Sequence, residues 1–255
     1  MHTHTKRAPD APAGFLETEA AGLEWLREAQ GATVVDVVSV SSSELVLQAL
    51  VHATPNAGMA YRFGQALAQT HAAGAPHFGS APPQAPLDHG FYGPTEEPLV
   101  MDYASENRWG CFFADYRLLP YAHIAYNRGQ LASLAPFERL AERLHTGDFD
   151  DDLPPARIHG DLWSGNLLWT PTGGVLIDPA AHGGHPLTDI ASLALFGVAH
   201  FADIVAGYQQ ITPLPAHWEN LIDLHQLPCI LLHAALFGSV YGAQARQLAE
   251  RYLIS

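Results

Sequence analysis

One polar stretch in the second half of the chain constrains the fold more than any other part of the sequence. It is "HGDLWSGNLLWTPTGGVLIDP", in which two short apolar runs, "LLW" and "VLI", stand on either side of a turn that contains Pro and Gly. Apolar runs of this length around such a turn predict a β-hairpin, whose two ends lie side by side. We therefore expect Asn166 and Asp178, at the ends of the hairpin, to be neighbours, with Asp161 one loop away.

These three side chains form a set that suits phosphoryl transfer. Carboxylate and amide oxygens are the ligands that Mg²⁺ prefers, and this ion takes the rest of its shell from water and substrate phosphates. The spacing H-x-D-x-x-x-x-N, followed by a further Asp, is the arrangement in which one carboxylate accepts the proton of an attacking hydroxyl group. The pattern predicts Asp161 as the catalytic base and Asn166 and Asp178 as metal ligands.

Two other interpretations compete with this one. His159, Asp161, His182 and His185 could ligate Zn²⁺, but zinc sites need three protein ligands at close separation. The two histidines of "HGGH" lie in a predicted loop, without a helix to fix their imidazoles. Alternatively, the hairpin only caps a core, and its polar groups would then have no reason to converge. We favour the kinase-like chemistry over both.

The predicted elements form a short β-rich beginning and a long, mainly helical body. Periodicity predicts a helix over 14–29, paired strands over 33–40 and 44–51, and a second helix over 57–74. The residues of 75–98 are rich in Pro and Gly and predict an ordered surface excursion. Further helices are predicted near 109–119, 134–144, 186–196, 201–210 and 218–254, the last broken at Pro228.

This order indicates an α+β fold in two unequal lobes. We expect a partial N-terminal β lobe over residues 1–51 and a helical C-terminal lobe over 52–255, which carries the catalytic loop and the metal-binding hairpin. Hydrophobic residues make up 48% of the 255, which is enough for a substantial core.

The charge and the cysteine content of the chain indicate which partners and which cellular compartment to expect. A net charge of −14 disfavours nucleic acid as a partner, because an acidic surface repels phosphate backbones. Cys111 and Cys229 lie in apolar, helix-like sequence and are expected to be buried free thiols. The N-terminus has no signal-peptide pattern, and no apolar run reaches the ~18 residues that span a bilayer. We therefore expect a cytoplasmic monomer without membrane contact.

Three motifs together resemble a known family of small-molecule kinases. "HGDLWSGN", "IDPAAHGGHPLTDIA" and "LLHAALFG" resemble the fructosamine kinase (ketosamine-3-kinase) family, and the Trp163–Ser164 pair is the most specific element. The resemblance extends from about Lys6 to the C-terminus. It implies a bilobal fold similar to protein kinases and aminoglycoside phosphotransferases.

The resemblance also implies roles for residues outside the hairpin. Lys6, the only lysine in the chain, corresponds to the lysine that contacts the α- and β-phosphates, and Glu19 corresponds to its ion-pair partner. "LVLQAL" corresponds to the hinge strand, where the backbone of Gln48 and Leu50 would meet adenine. The other implied roles are substrate binding by Trp163, His182 and His185 and support of the catalytic loop by His159 and Asp189.

The activity implied by the resemblance is phosphorylation of the sugar O3 of a ketosamine by ATP, with Mg²⁺. The product releases the amine, so the reaction is associated with protein deglycation. Two alternatives stay open on the sequence. One is a kinase of the same fold for another small hydroxyl compound, such as an aminoglycoside. The other is a relative that binds a ligand without catalysis.

The start of the chain departs from the family pattern. Only five residues precede Lys6, so we expect the family's first two strands and its Gly-rich loop, which covers the phosphates, to be missing. We favour a true start that lies upstream over a naturally reduced and weakly active protein. On this expectation the pair of Lys6 with Glu19 is exposed and contributes only roughly 0–1 kcal/mol.

Overall fold

A β-rich beginning opens the protein, and its computed structural model describes residues 2–254. The first elements are β1 (Thr3–Arg7), α1 (Phe15–Glu28), β2 (Thr33–Val34), β3 (Val37–Val40) and β4 (Glu44–Gln48). β1 and β3 both pair antiparallel with β4, which lies between them. Lys6 stands opposite Leu45 in this ladder. The predicted first helix and the pairing of the strands that follow it are confirmed.

The predicted strand over 33–40 is divided, and its first part joins the central hairpin. That hairpin consists of β8 (Leu167–Thr170) and β9 (Gly173–Leu176), as predicted. β2 turns away from β3 and pairs in parallel with β9. The N–H of Val35 donates to the carbonyl of Leu176 at 3.1 Å. The beginning of the chain is therefore hydrogen-bonded directly to the strand that leads to Asp178.

The body is mainly helical, as predicted. It contains α2 (Ala57–Ala72), α3 (Trp109–Phe113), a π-helical turn (Ala114–Leu118), α4 (Leu119–Asn127), α5 (Ala135–Thr146), α6 (Pro186–Leu195), α7 (Phe201–Ile211), a 3₁₀ turn (Trp218–Leu221), α8 (Ile222–Phe237) and α9 (Ser239–Arg251). The predicted break at Pro228 is wrong, because buried leucines on either side of it, Leu224 and Leu231, hold α8 together. The chain turns at Gly238 instead, where φ is 111°.

Two small pairs of strands complete the fold. β5 (His89–Tyr92) and β6 (Leu99–Asp102) form a hairpin that begins within the predicted excursion over 75–98. β7 (Ala156–Ile158) pairs antiparallel with β10 (His182–Gly184). This second pair holds the segment before the catalytic loop against the segment that follows Asp178.

The buried residues form two hydrophobic clusters. The first joins α1 and the early strands to α2, α6, α7 and the β8–β9 hairpin, and the second joins α3, α4, α5, α8 and α9. The backbones of α2 and α7 are in direct contact at Gly64. A Cβ added there would lie 1.9 Å from the carbonyl oxygen of Ile204. The first cluster contains residues from both sides of position 51. Since the core continues across that position, the lobe boundary near it stays a prediction. Both cysteines are free, but they are half-buried rather than buried.

One helical stretch among the described residues, Trp218–Phe237, is long and apolar enough to cross a membrane by length and composition. The sequence analysis did not identify it, because polar residues interrupt its apolar runs. Within the most apolar 18 residues of this stretch, 56% are buried inside the protein, and α8 contributes to the second hydrophobic cluster. Its apolar character therefore has a packing explanation.

Candidate active site

The predicted base lies on a loop that begins at the end of β7. Gly160 has a φ of 80°, and a Cβ at this position would lie 2.2 Å from the carbonyl oxygen of Ala180, so the backbone requires glycine. Asp161 follows directly, and its N–H donates to Nδ1 of His159 at 3.2 Å. The close approach at Gly160 brings Asp161 next to the segment that follows the hairpin.

Asp189, in the first turn of α6, braces this loop. Its fully buried carboxylate accepts hydrogen bonds from the N–H of His159 at 2.8 Å and of Gly160 at 2.9 Å, and lies 3.0 Å from Nε2 of His71. Burial alone would raise the pKa of Asp189, but its interactions with His71 and His159 outweigh burial and lower it. The ring of His159 donates from Nε2 to the carbonyl of Ile177 at 2.8 Å. A pair of residues that supports the catalytic loop would make contacts of this kind.

Asn166 brings the three groups predicted from the hairpin together. Its side-chain amide donates to the backbone carbonyl of Asp161 at 2.8 Å and to Oδ2 of Asp161 at 3.1 Å. The same nitrogen lies 3.4 Å from the backbone carbonyl of Asp178. The N–H of Ile177 donates to the carbonyl of Asn166 at 3.1 Å and closes the end of the hairpin. Asn166 thus contacts the side chain of Asp161 and the backbone of Asp178, and the carboxylate of Asp178 lies near Lys6.

The oxygen atoms left over form a donor set that suits a hard cation. The amide nitrogen of Asn166 faces Asp161, and Oδ1 of Asn166 makes no hydrogen bond within residues 2–254. Asp178 has a φ of 49°, and its partly exposed side chain borders the same cavity as Asn166. An amide oxygen and a carboxylate fit Mg²⁺. No group of three or more His, Cys, Asp or Glu side chains in the described chain is arranged to hold a metal, so the zinc alternative finds no support.

The environment of Asp161 suits proton transfer. Burial raises its pKa to about 7, against the hydrogen bond from Asn166, and the carboxylates of Asp178 and Asp189 add to the rise. A general base works best when its pKa lies near the operating pH. Asp161 is therefore a better proton acceptor than an ordinary surface carboxylate.

Lys6 reaches the same point from β1. Its Nζ lies 2.7 Å from Oε2 of Glu19 and 3.6 Å from Oδ1 of Asp178. The expectation of an exposed pair is wrong. α1 packs on the segment that follows Asp178, where a Cβ on Gly22 would lie 3.3 Å from Cγ of Pro179, and Glu19 is only 8% and Lys6 25% exposed. Loss of one partner from a buried pair is costly, since the other charge is left uncompensated.

The charges of this cluster depend on one another. Burial raises the pKa of Glu19 to about 7, with Lys6 opposing the rise and Asp178 adding to it. For Lys6, burial lowers the pKa, but the carboxylates of Glu19 and Asp178 outweigh burial and raise it. Lys6 is consequently held as a cation beside the carboxyl groups of Glu19 and Asp178.

A cavity of about 390 Å³ joins these groups. Six of the residues predicted from the sequence line it: Lys6, Glu19, Asp161, Trp163, Asn166 and Asp178. The β5–β6 hairpin forms part of the wall through Tyr92, whose hydroxyl donates to the carbonyl of Gly160 at 3.1 Å. The cavity therefore has room for a small molecule beside the predicted base.

The two histidines expected to reach the substrate do not line this cavity. His182 is buried beside it, its Nδ1 donates to the carbonyl of Ala180 at 2.8 Å, and burial lowers its pKa to about 3. His185 is the N-terminal cap of α6: its Nδ1 accepts from the N–H of Leu187 at 3.1 Å, and its Nε2 lies 3.0 Å from Asp151. Both ring nitrogens of His185 are thus occupied by structural contacts.

The two residues expected at the hinge also lie outside the cavity. Gln48 ends β4, and its N–H donates to the carbonyl of Asp36 at 2.9 Å. The side chain of Leu50 packs against the first hydrophobic cluster. The structure therefore places the charged groups and the hinge residues in separate locations.

Sequence reasoning missed several aromatic residues of the cavity wall. Phe91 and Tyr92 come from "GFYGP", and their occurrence within a segment rich in Pro and Gly was the signal that could have found them. Phe196, His233 and Phe237 come from the ends of α6 and α8. Nothing in their spacing separates them from ordinary core residues, so only the packing of the two helices shows their place.

Comparison with known proteins agrees with this geometry. A sequence model of the fructosamine kinase family matches residues 4–255. The "Probable ketoamine kinase" of Enterococcus faecium is 31% identical over 248 residues, covering 96% of this chain and 85% of that protein. The "Probable ketoamine kinase" slr1563 of Synechocystis is 34% identical over 245 residues, covering 94% of this chain and 79% of that protein.

Solved structures show the same relationship. The inferred fructosamine-3-kinase of Thermobifida fusca matches with a TM-score of 0.88 and 38% identity, covering 99% of this chain and 86% of that chain. The aminoglycoside phosphotransferase APH(4)-Ia matches with a TM-score of 0.57 and 15% identity, covering 94% and 82%, which shows the fold alone. The α+β, protein kinase-like fold is thereby confirmed. With a family match over nearly its whole length, this chain belongs to the fructosamine kinase family, whose members are phosphotransferases that act on a hydroxyl group.

Proposed function

We propose that this protein transfers the γ-phosphoryl group of ATP to the sugar O3 of a ketosamine. The observation that carries the proposal is the convergence of Asp161, Asn166 and Asp178 in one cavity with the ion pair of Lys6 and Glu19. The family and the names of the relatives support ketosamines as the substrate class.

The residues around Lys6 form the nucleotide side of the site. Lys6 is a cation held in place by Glu19 and Asp178, so it can bind the phosphate oxygens of ATP. Asn166 and Asp178 would hold Mg²⁺ through their side-chain oxygens. When bound, the ion neutralises charge on the transferring phosphate.

Asp161 would act as the base. Its carboxylate takes the proton from the O3 hydroxyl as that oxygen forms its bond to the γ-phosphorus and the bond to the β-phosphate oxygen breaks, so ADP leaves. The loop contacts of Asp189 keep Asp161 in position for this step. Trp163, two residues further on, lines the cavity and would flank the sugar.

We further propose that the protein is located in the cytoplasm. We also propose that its two lobes meet between residues 51 and 52. A reaction that consumes ATP requires a compartment that contains it, and both cysteines are free, as is usual in a reducing environment. The lobe division follows from the change from strands to helices after β4.

The decisive experiment is a phosphorylation assay with ATP, Mg²⁺ and N-methyl fructosamine. ADP release is measured, and ³¹P NMR locates the new phosphate ester. We expect a 3-phosphate with the wild-type protein and a rate of its formation lowered ~10²–10⁴-fold with Asp161→Asn. Free fructose and an aminoglycoside are tested as alternative acceptors. Faster transfer to the aminoglycoside than to the ketosamine would contradict the proposal.

A further inference from the structure

A row of partly exposed rings borders one side of the cavity. We call Trp163, Phe196, His233 and Phe237 the aromatic rim. The ring centroids are 6.0 Å apart for Trp163 and Phe196, 5.1 Å for Phe196 and His233, and 5.3 Å for His233 and Phe237. The exposed fractions of Trp163, Phe196 and Phe237 are 39%, 44% and 63%. Rings that are in contact with one another yet open to solvent form a continuous apolar surface, the kind that marks a binding site.

The rim is attached to rigid elements. Phe196 is the residue directly after α6, and His233 and Phe237 lie one turn apart on α8. Nδ1 of His233 donates to the carbonyl of Cys229 at 2.8 Å, which fixes the ring on the helix. Because a backbone carbonyl can only accept, Nδ1 carries the proton of this contact, and Nε2 is the ring nitrogen left to accept a hydrogen bond.

The rim and the charged cluster come from different elements that line the same cavity. Lys6, Glu19 and Asp178 come from β1, α1 and the end of the hairpin, whereas the rim comes from the catalytic loop, α6 and α8. Asp161, two residues before Trp163, lines the same cavity and contacts Asn166. A sugar hydroxyl at Asp161 would therefore share the cavity with both Lys6 and the rings of the rim.

The rim suits a cation that carries an apolar substituent. Aromatic faces attract cations, and they stack with other rings. A ketosamine carries a secondary ammonium group, and the substituent on that nitrogen extends away from the sugar.

We propose that the aromatic rim binds the amine substituent of the ketosamine and that the protein prefers substrates in which this substituent is aromatic. This inference rests on the proposed function. Trp163 and Phe196 stack on the substituent, Phe237 covers its outer face, and Nε2 of His233 accepts a hydrogen bond from the ammonium group.

The test compares N-benzyl fructosamine with N-methyl fructosamine, which share the sugar and the charge and differ in the ring. The ratio of kcat/KM for the two substrates is measured. In the wild type we expect the benzyl compound to be favoured about tenfold, as one or two good aromatic contacts provide. Phe237→Ala should bring the ratio down several-fold, mainly through KM, and Phe237→Tyr should restore it.

Tyr126→Ala is the matched control. Tyr126 lies on α4, is 44% exposed like Phe196, and does not line the cavity, so its removal should leave the ratio unchanged. Phe237 is 63% exposed, so its truncation should leave the core intact, and a thermal melt checks this.

Each outcome separates the inference from the proposed function. Equal kcat/KM for both substrates in the wild type, with normal phosphorylation, would overturn the role of the rim and leave the kinase activity standing. A preference for the benzyl compound that survives both Phe196→Ala and Phe237→Ala would also overturn it. Failure of both compounds to bind, measured by calorimetry, and to be phosphorylated would remove the proposed function, and the inference with it.

Discussion

Replacing Asp189 by Asn removes the charge that holds the catalytic loop and keeps the shape of the side chain. In the wild type, Oδ1 accepts from the N–H of Gly160 at 2.9 Å, and Oδ2 accepts from the N–H of His159 at 2.8 Å and lies 3.0 Å from Nε2 of His71. Asparagine has only one acceptor oxygen, and its NH₂ group must face at least one backbone N–H. That buried donor is left without a partner.

The magnitude follows from these contacts. A hydrogen bond to a charged group contributes about 1.5–3 kcal/mol, and a buried unpaired donor costs about 1–3 kcal/mol. The two ranges sum to a loss of about 2.5–6 kcal/mol in the free energy of unfolding of Asp189→Asn. Native domains are stable by about 5–15 kcal/mol, so a protein near the middle of that range still folds with this variant. Displacement of Asp161 by about 1 Å should also reduce kcat about 100-fold.

Urea unfolding followed by tryptophan fluorescence measures the first effect, and the phosphorylation assay at a temperature where the variant is folded measures the second. Asp203→Asn is the control, because Asp203 lies at an exposed position 3.3 Å from His200 and should lose less than about 1 kcal/mol. A loss below about 1 kcal/mol in Asp189→Asn, with normal kcat, would refute the bracing role.

Asp189→Asn should also change how the stability of the protein depends on acidic pH. The pKa of Asp189 is lowered in the folded protein, so its contribution to stability is present above its ordinary value of 3.8 and is lost as the pH falls through the folded-state value. The wild type should therefore lose stability below pH 3.8 more steeply than Asp189→Asn. Parallel curves for the two proteins would contradict the assignment.

Three further outcomes follow from the site and its packing. Asp161→Asn should reduce phosphoryl transfer by ~10²–10⁴ while the melting temperature stays close to wild type, and a variant with more than half the normal turnover would remove Asp161 from the base role. Asp178→Ala should weaken ATP binding in the presence of Mg²⁺ more than in its absence, measured by calorimetry, whereas equal losses would make Asp178 structural. Gly64→Ala should lower the free energy of unfolding by about 1–3 kcal/mol, because the new Cβ would lie 1.9 Å from the carbonyl oxygen of Ile204. Gly58→Ala on the same helix, where the new Cβ meets nothing closer than 3.4 Å, should be neutral or stabilising by up to about 1 kcal/mol, and similar losses in both variants would contradict the packing argument.

The hairpin and its three polar groups were predictable because local rules govern them. The turn between β8 and β9 fixes which strand ends meet, and this alone brings Asn166 to Asp178. The spacing of five residues then leaves Asp161 on the adjoining loop. The amphipathic helices α1 and α2 were predictable for the same reason, since their periodicity is contained in consecutive residues.

The rest of the site depends on contacts that no local pattern describes. His182 and His185 are close to Asp178 in sequence, but β10 and the start of α6 turn both rings into the interior. Phe196 and Phe237 reach the cavity only because α6 and α8 end beside it. Residues that follow a functional motif are therefore poor candidates for the site unless the next element directs them toward it.

The burial of the Lys6–Glu19 pair shows how distant parts of the chain complete the site. Glu19 and Gly22 are three residues apart on α1 and face the same way. A Cβ on Gly22 would lie 3.3 Å from Cγ of Pro179, so α1 packs directly on the segment that follows Asp178. One turn earlier on that face, Glu19 reaches Lys6, which lies 3.6 Å from Asp178. The absence of a side chain at Gly22 therefore lets α1 approach the hairpin end closely, and a larger residue there would move Glu19 away from Asp178 without touching either.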